Sequence, residues 1–234
     1  MNGAEAMENA DMIVLRALGA LLTYPSQELR EALPEIAAAI GASDLIAPGD
    51  RGAVLGLVDL LASADPLWAE ERYVELFDRG RATSLHLFEH VHGEARDRGA
   101  AMVELKAVYE GAGFRLAANE LPDYLPVVLE YLSCRGIAEA RDMLGDCAHI
   151  LRAVGEALLA RGSPYSAVFS ALLGIIGAEG PDDSASSRRA ADAQDLDRDW
   201  FEQPAFAPAP RVAAMDFGID AAMANGCPRK EIAP

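Results

Sequence analysis

Positive charge is scarce in this chain. Its 234 residues carry 20 Lys and Arg against 37 Asp and Glu, a formal net charge of −17. Such a surface repels phosphate backbones, which argues against DNA or RNA as a partner. It attracts a basic peptide or protein patch, chiefly by speeding encounter. Cysteine is scarce too: Cys134, Cys147 and Cys227 are the three, with no Cys-x-x-Cys pair. That excludes a disulfide framework and suits a reducing compartment. Aromatics make up 6% and β-branched residues are few, while Ala and Leu dominate, a balance that favours helix over strand. No stretch alternates with period two. The longest apolar run, Ala167 to Ala178, is too short to span a bilayer and is interrupted by Gly174 and Gly177. The N-terminus carries acidic residues where a signal peptide carries basic ones, so the expected location is cytoplasmic. Glycine-rich phosphate loops, dinucleotide fingerprints and nucleophile elbows are also missing.

What is present is amphipathic helix, with 51% of the residues apolar. Asp11 to Leu22 has helical spacing and stops at Tyr24-Pro25. Ser26 is placed to cap a second helix to about Ile40, kinked or restarted at Pro34. Arg51 to Ala62 forms a third. Asp65-Pro66, a cap and a first-turn proline, opens a fourth that runs to about Asp78. Leu85 to His92 reads as helical and, after Gly93, the pattern resumes to Tyr109. Tyr124 to Leu132 is apolar almost all round, with Glu130 the exception, and belongs at the centre of a core. Ile137 to Leu158 repeats apolar residues at three and four, which predicts one long helix with a single seam. A last helix follows Pro164 and ends near Ile176. Residues 179–234 are polar, then Pro- and Ala-rich, with six of the 13 prolines. The expectation is an all-α fold: one helical bundle domain over 1–178 and a low-complexity, disordered tail over 179–234.

Three of the four histidines, His86, His90 and His92, fall within seven residues in "HLFEHVHGEARDRG". As a helix, Leu85, Leu87, Phe88, Val91 and His92 share one arc; His86, Glu89 and His90 lie opposite. His-x-x-Glu-His with histidines at i and i+4 is a zinc-peptidase arrangement, with the glutamate as general base, and a third ligand would have to come from Glu130 or Glu156. Glu156 points away from the seam of its own helix. The competing readings are a polar band that holds a peptide, continued by Glu94, Arg96, Asp97 and Arg98, and a plain solvated face. Cys147 falls on the core seam and reads as packing. Asp123 and Glu130 flank the apolar helix, where a buried carboxylate would need a partner.

Two longer blocks carry more information than the histidine pattern. "YVELFDRGRATSLHLFEHVHGEARDRGAAMVEL", Tyr73 to Leu105, and "NELPDYLPVVLEYLS", Asn119 to Ser133, closely resemble the NarJ family, the assembly chaperones of respiratory nitrate reductase within the wider TorD-like group. The resemblance is strong over 73–134 and extends over about 11–178. It implies an all-α bundle that is not an enzyme and holds no cofactor stably, although its client is a molybdenum-cofactor protein. It implies as partners the apo catalytic α subunit of nitrate reductase and that subunit's N-terminal segment, with cofactor-biosynthesis proteins as further candidates. The chaperone would be a monomer or dimer that keeps the client open for cofactor insertion and delays its docking to the membrane. Carried onto this sequence, the client-binding surface is Tyr73, Phe77, Leu85, His86, Phe88, Glu89, His90, His92, Arg96, Arg98, Glu120, Asp123, Tyr124 and Glu130. Arg96 and Arg98 would repel a basic peptide and are expected to pair internally. A zinc hydrolase at 86–90 is the alternative.

Overall fold

The computed structural model describes residues 3–91, 95–117, 120–182 and 231–232, with the side chains of 3–11, 95–96 and 231–232 left aside. The described residues form an all-α fold. Helix α1 spans Gly3–Leu21 and packs along α6, Leu125–Ser133. The two approach closely because position 19 is glycine: a Cβ there would sit 3.2 Å from both Leu129 Cβ and the Pro126 carbonyl oxygen. Seven of the nine residues of α6 are buried, as its uniformly apolar sequence requires.

Ser26 caps α2, Gln27–Ala42, with its hydroxyl accepting the Leu29 N–H at 3.3 Å. The helix runs through Pro34 without restarting. Leu29, Leu33, Ile36 and Ile40 form its buried stripe and face α3, Pro48–Ser63, whose Val54, Leu57, Val58 and Leu61 are buried in turn. The Arg30 guanidinium donates to the carbonyls of Leu61 and Ala64 at 2.9 and 3.0 Å, satisfying the open C-terminal end of α3. Asp65 caps α4, Pro66–Tyr73, accepting the Trp68 N–H at 3.1 Å. The fourth helix does reach Asp78, but its last turn, Val74–Asp78, widens to a π-helix.

Beyond this, α5 spans Ala95–Gly111, α7 Ile137–Asp146, α8 Ala148–Ala160 and α9 Ser166–Ile175. Two periodicity readings fail. The predicted single helix over Ile137–Leu158 breaks at Cys147, whose φ of −103° and ψ of 12° leave the helical range. The seam survives the break, since Ala140, Leu144, Cys147, Leu151, Val154 and Leu158 are all buried. Glu156, expected to point away, is also buried, and it has a partner. The helix expected over Leu85 to His92 is absent from its described part, Leu85 to Val91. His86 is extended and bridges Tyr124 in antiparallel fashion, and only Leu87–Glu89 turns, as a single 3₁₀ turn.

After α9 the chain folds back across α8. Arg152 Nε and Nη2 both donate to the Glu179 carbonyl at 3.1 Å, and Pro181 sits over Gly155, where a Cβ would lie 2.6 Å from its ring. Glu179 and Pro181 are thus held against α8. Arg115–Leu116 pair in parallel with Glu231–Ile232, a two-residue ladder. The expected tail over 183–230 and 233–234, with Cys227, lies outside the described residues. Among the described residues no helix is long and apolar enough to cross a membrane.

Candidate functional site

Four separate chain segments meet at an open cleft of about 590 Å³. The turn after α1 contributes Thr23, Tyr24 and Ser26. The α4 helix and its π-turn contribute Tyr73, Phe77 and Asp78. Leu85 and His86 come from the extended segment, and Glu120, Leu121 and Tyr124 from the loop before α6. The wider π-turn shares its residues between two environments: Leu76 and Phe77 are buried while Asp78 reaches the cleft.

The cleft floor is aromatic. Tyr73 packs against Phe77 with ring centroids 4.9 Å apart, Phe77 against Tyr165 at 5.1 Å, and Tyr24 meets Tyr73 edge-on at 5.7 Å. The His86 ring lies 5.2 Å from that of Tyr124. The Tyr73 hydroxyl donates to the Leu22 carbonyl at 2.9 Å and stands 3.3 Å from the Tyr124 hydroxyl, so the open end of α1 anchors the floor. Burial, with neighbouring tyrosines and Asp78, pushes the Tyr73 phenol far above its ordinary value. Burial also raises Tyr124; the hydrogen bond with Tyr73 opposes this, and Glu120 and Asp78 add to it. Both phenols therefore act as neutral hydrogen-bonding groups.

Behind the cleft wall lies a brace centred on Asp123, which is 0% exposed. A carboxylate so placed must be matched by donors. Its Oδ2 accepts the Phe88 N–H at 3.1 Å, and its Oδ1 lies 3.3 Å from His86 Nδ1, which places that ring proton on Nδ1. Arg98 Nη2 stands 3.8 Å from Oδ2. The backbone bridge adds Leu87 N–H to the Asp123 carbonyl at 3.0 Å and Leu125 N–H to the Leu85 carbonyl at 2.9 Å. Glu89 completes the arrangement: its Oε2 accepts the Ser84 hydroxyl at 2.6 Å and its Oε1 pairs with Arg98 at 3.2 Å. Burial alone would raise the Glu89 carboxyl; the Ser84 hydroxyl, the Arg98 charge and His86 outweigh it and hold the group below its ordinary value. His90 Nε2 donates to the Ser84 carbonyl at 2.9 Å.

The residues singled out from sequence divide accordingly. Tyr73, Phe77, Leu85, His86, Glu120 and Tyr124 line the cleft. Phe88, Glu89, His90, Arg98 and Asp123 form the brace behind it. Glu130 is half-buried on α6 and does not line the cleft. His92 and the Arg96 side chain lie outside the described residues. Periodicity did not reveal Tyr24, Asp78 or Leu121; the Tyr24-Pro25 helix stop and the helix end at Asp78 were visible, but not their convergence.

The zinc geometry required His86 and His90 on one helical face with Glu89 free to act. Instead His86 Nδ1 faces Asp123, His90 Nε2 is bonded to a carbonyl, and Glu89 is engaged by Ser84 and Arg98. Among the described residues no group of three or more His, Cys, Asp or Glu side chains is placed to hold a metal ion.

The family model described as nitrate reductase delta subunit matches residues 25–171. Over 197 residues, 82% of this chain and 84% of the relative, the sequence is 43% identical to the nitrate reductase molybdenum cofactor assembly chaperone NarJ of Escherichia coli K12. It is 39% identical over 197 residues, 82% of each chain, to the probable nitrate reductase molybdenum cofactor assembly chaperone NarW of the same strain. To the probable NarJ chaperone of Bacillus subtilis it is 33% identical over 164 residues, 70% of this chain and 88% of the relative.

Proposed function

The chain belongs to the nitrate reductase delta subunit family, and from that premise we propose that it is a chaperone for assembly of a molybdenum-cofactor nitrate reductase rather than an enzyme. Its client is the apo catalytic α subunit, engaged in part through that subunit's N-terminal segment. It supports cofactor insertion and delays membrane docking until assembly is complete, working in the cytoplasm without a stably bound cofactor of its own. Its working unit is the helical domain over 1–178, as monomer or dimer, with 179–234 as an appendage.

The observation that carries the proposal is the open aromatic cleft with Asp78 and Glu120 on its lining and no Lys or Arg among the described residues that form it. Apolar floor and acidic rim suit a basic, amphipathic segment laid in a groove. Tyr73, Phe77, Leu85, His86, Glu120 and Tyr124 are its contact residues in this reading. Phe88, Glu89, His90, Arg98 and Asp123 hold the contact residues in position. Release at the end of assembly calls for modest affinity, about −8 kcal/mol or a micromolar Kd.

The test is co-purification of the chain with the apo α subunit, expressed with and without its N-terminal segment. Retention of the intact subunit and weakened retention of the truncated one are expected. If neither form is retained, the proposal is wrong.

A further inference from the structure

A second open groove, of about 700 Å³, lies between α2 and α3–α4. Resting on the client-binding reading of the cleft, we propose that this groove is the other half of the same surface and takes the continuation of one basic, amphipathic client segment.

The two depressions share one ridge. Tyr24 and Ser26 line the cleft, whereas Pro25 and Gln27 line the groove. Tyr24, 44% exposed, stands on that ridge as a divide. Its phenol is raised first by hydrogen bonding to Glu70, then by what burial it has and by the charges of Glu70 and Asp78. Glu70 lines the groove and Asp78 the cleft, so the acidic rims meet at this one tyrosine. A segment leaving the cleft over Tyr24 therefore passes directly into the groove.

The groove has the same chemistry as the cleft. Leu33, Pro34, Ala37 and Val58 supply an apolar floor, and Glu31, Asp59 and Glu70 an acidic rim. Arg30 is the only cation among the described lining residues, and its guanidinium is turned to the carbonyls of Leu61 and Ala64. Charge decides between occupants. A second copy of a chain with net charge −17 would set like charges face to face, whereas a basic segment is complementary along the whole path.

The experiment measures binding of the full-length chain to the purified apo α subunit, and to a synthetic peptide of its N-terminal segment, by titration calorimetry. Ala62→Arg and Asp59→Lys alter exposed groove positions, and Glu120→Lys alters the cleft. All three variants are expected to weaken binding of the subunit by about tenfold, with unchanged unfolding midpoints. If the groove variants bind within about twofold of the parent while Glu120→Lys is impaired, the client is confined to the cleft and the inference is overturned, with the chaperone reading intact. A concentration-dependent dimer broken by Ala62→Arg would also overturn it. Failure of all three variants to weaken binding would place the client outside both depressions, overturning this inference and the cleft assignment together, while retention of the subunit would leave the chaperone reading standing.

Discussion

Replacing Asp123 separates a structural brace from a decorative charge. The carboxylate is fully buried and accepts the Phe88 N–H at 3.1 Å while facing His86 Nδ1 at 3.3 Å and Arg98 at 3.8 Å. Asp123→Ala strands a buried N–H, which costs about 1–3 kcal/mol. It also removes the buried charge that Arg98 faces. Breaking a fully buried pair costs about 3–5 kcal/mol, but Arg98 is 28% exposed and its contact is long, so the lower end or less applies. The expected loss is about 3 kcal/mol in all. Asp123→Asn keeps an acceptor for Phe88 and loses the charge; its NH2 then faces His86 Nδ1, which can accept once the ring proton moves to Nε2, so about 1 kcal/mol is expected. Urea unfolding followed by circular dichroism reads both, with the slope against denaturant unchanged. In a chain of this size the alanine variant should melt roughly 6–12 °C lower. Should the two substitutions cost the same, or should alanine cost under about 0.5 kcal/mol, the brace does not hold the wall and the reasoning fails.

Two further outcomes follow from geometry. Gly19→Val should destabilise by about 1–3 kcal/mol or more, because its Cβ meets the Pro126 carbonyl oxygen at 3.2 Å, a backbone atom that cannot swing aside; an unchanged urea midpoint would refute the tight α1–α6 approach. Glu89 is held below its ordinary value of 4.5, so the folded state favours its ionised form; its contribution is complete above about 4.5 and disappears as pH falls through the lower folded value. Stability measured at pH 6 and pH 3 should therefore differ less in Glu89→Gln and Ser84→Ala than in the parent, and an equal difference would remove Glu89 from the brace.

The helices were legible where local chemistry decides alone. Ser26 and Asp65 cap as their sequence contexts indicate, and α6 is central because every residue on it but Glu130 and Ser133 is buried. The histidine stretch misled for a physical reason. Leu85 and Leu87 are buried on either side of a part-exposed His86, which is strand alternation, but it lasts three residues. The same residues fit a helical arc, and tertiary pairing with Asp123 and Tyr124 chooses between the two. The break at Cys147 was hidden differently. Its apolar spacing continues through the corner because α7 and α8 face one core, so periodicity reports the core and not the backbone. Convergence of four segments on the cleft left no local trace at all.

That division suggests how a binding surface can be firm and still release. Apart from the buried Tyr165 hydroxyl, which has no hydrogen-bond partner among the described residues, the polar groups behind the floor are bonded within the chain: Tyr73 to the end of α1, His86 to Asp123, His90 to Ser84, Glu89 to Ser84 and Arg98. A client gains little from displacing them. What remains on offer is apolar contact with aromatic faces and the attraction of Asp78 and Glu120 for positive charge. Apolar contact tolerates variation in the client, and rim charges act mainly on the encounter rate. Under the proposed function, affinity would rest on how many apolar side chains the client can present at once, and folding of the client would withdraw those same side chains. Release would then need no rearrangement of the bundle: competition between the cleft and the client's own core for the same apolar surface would suffice.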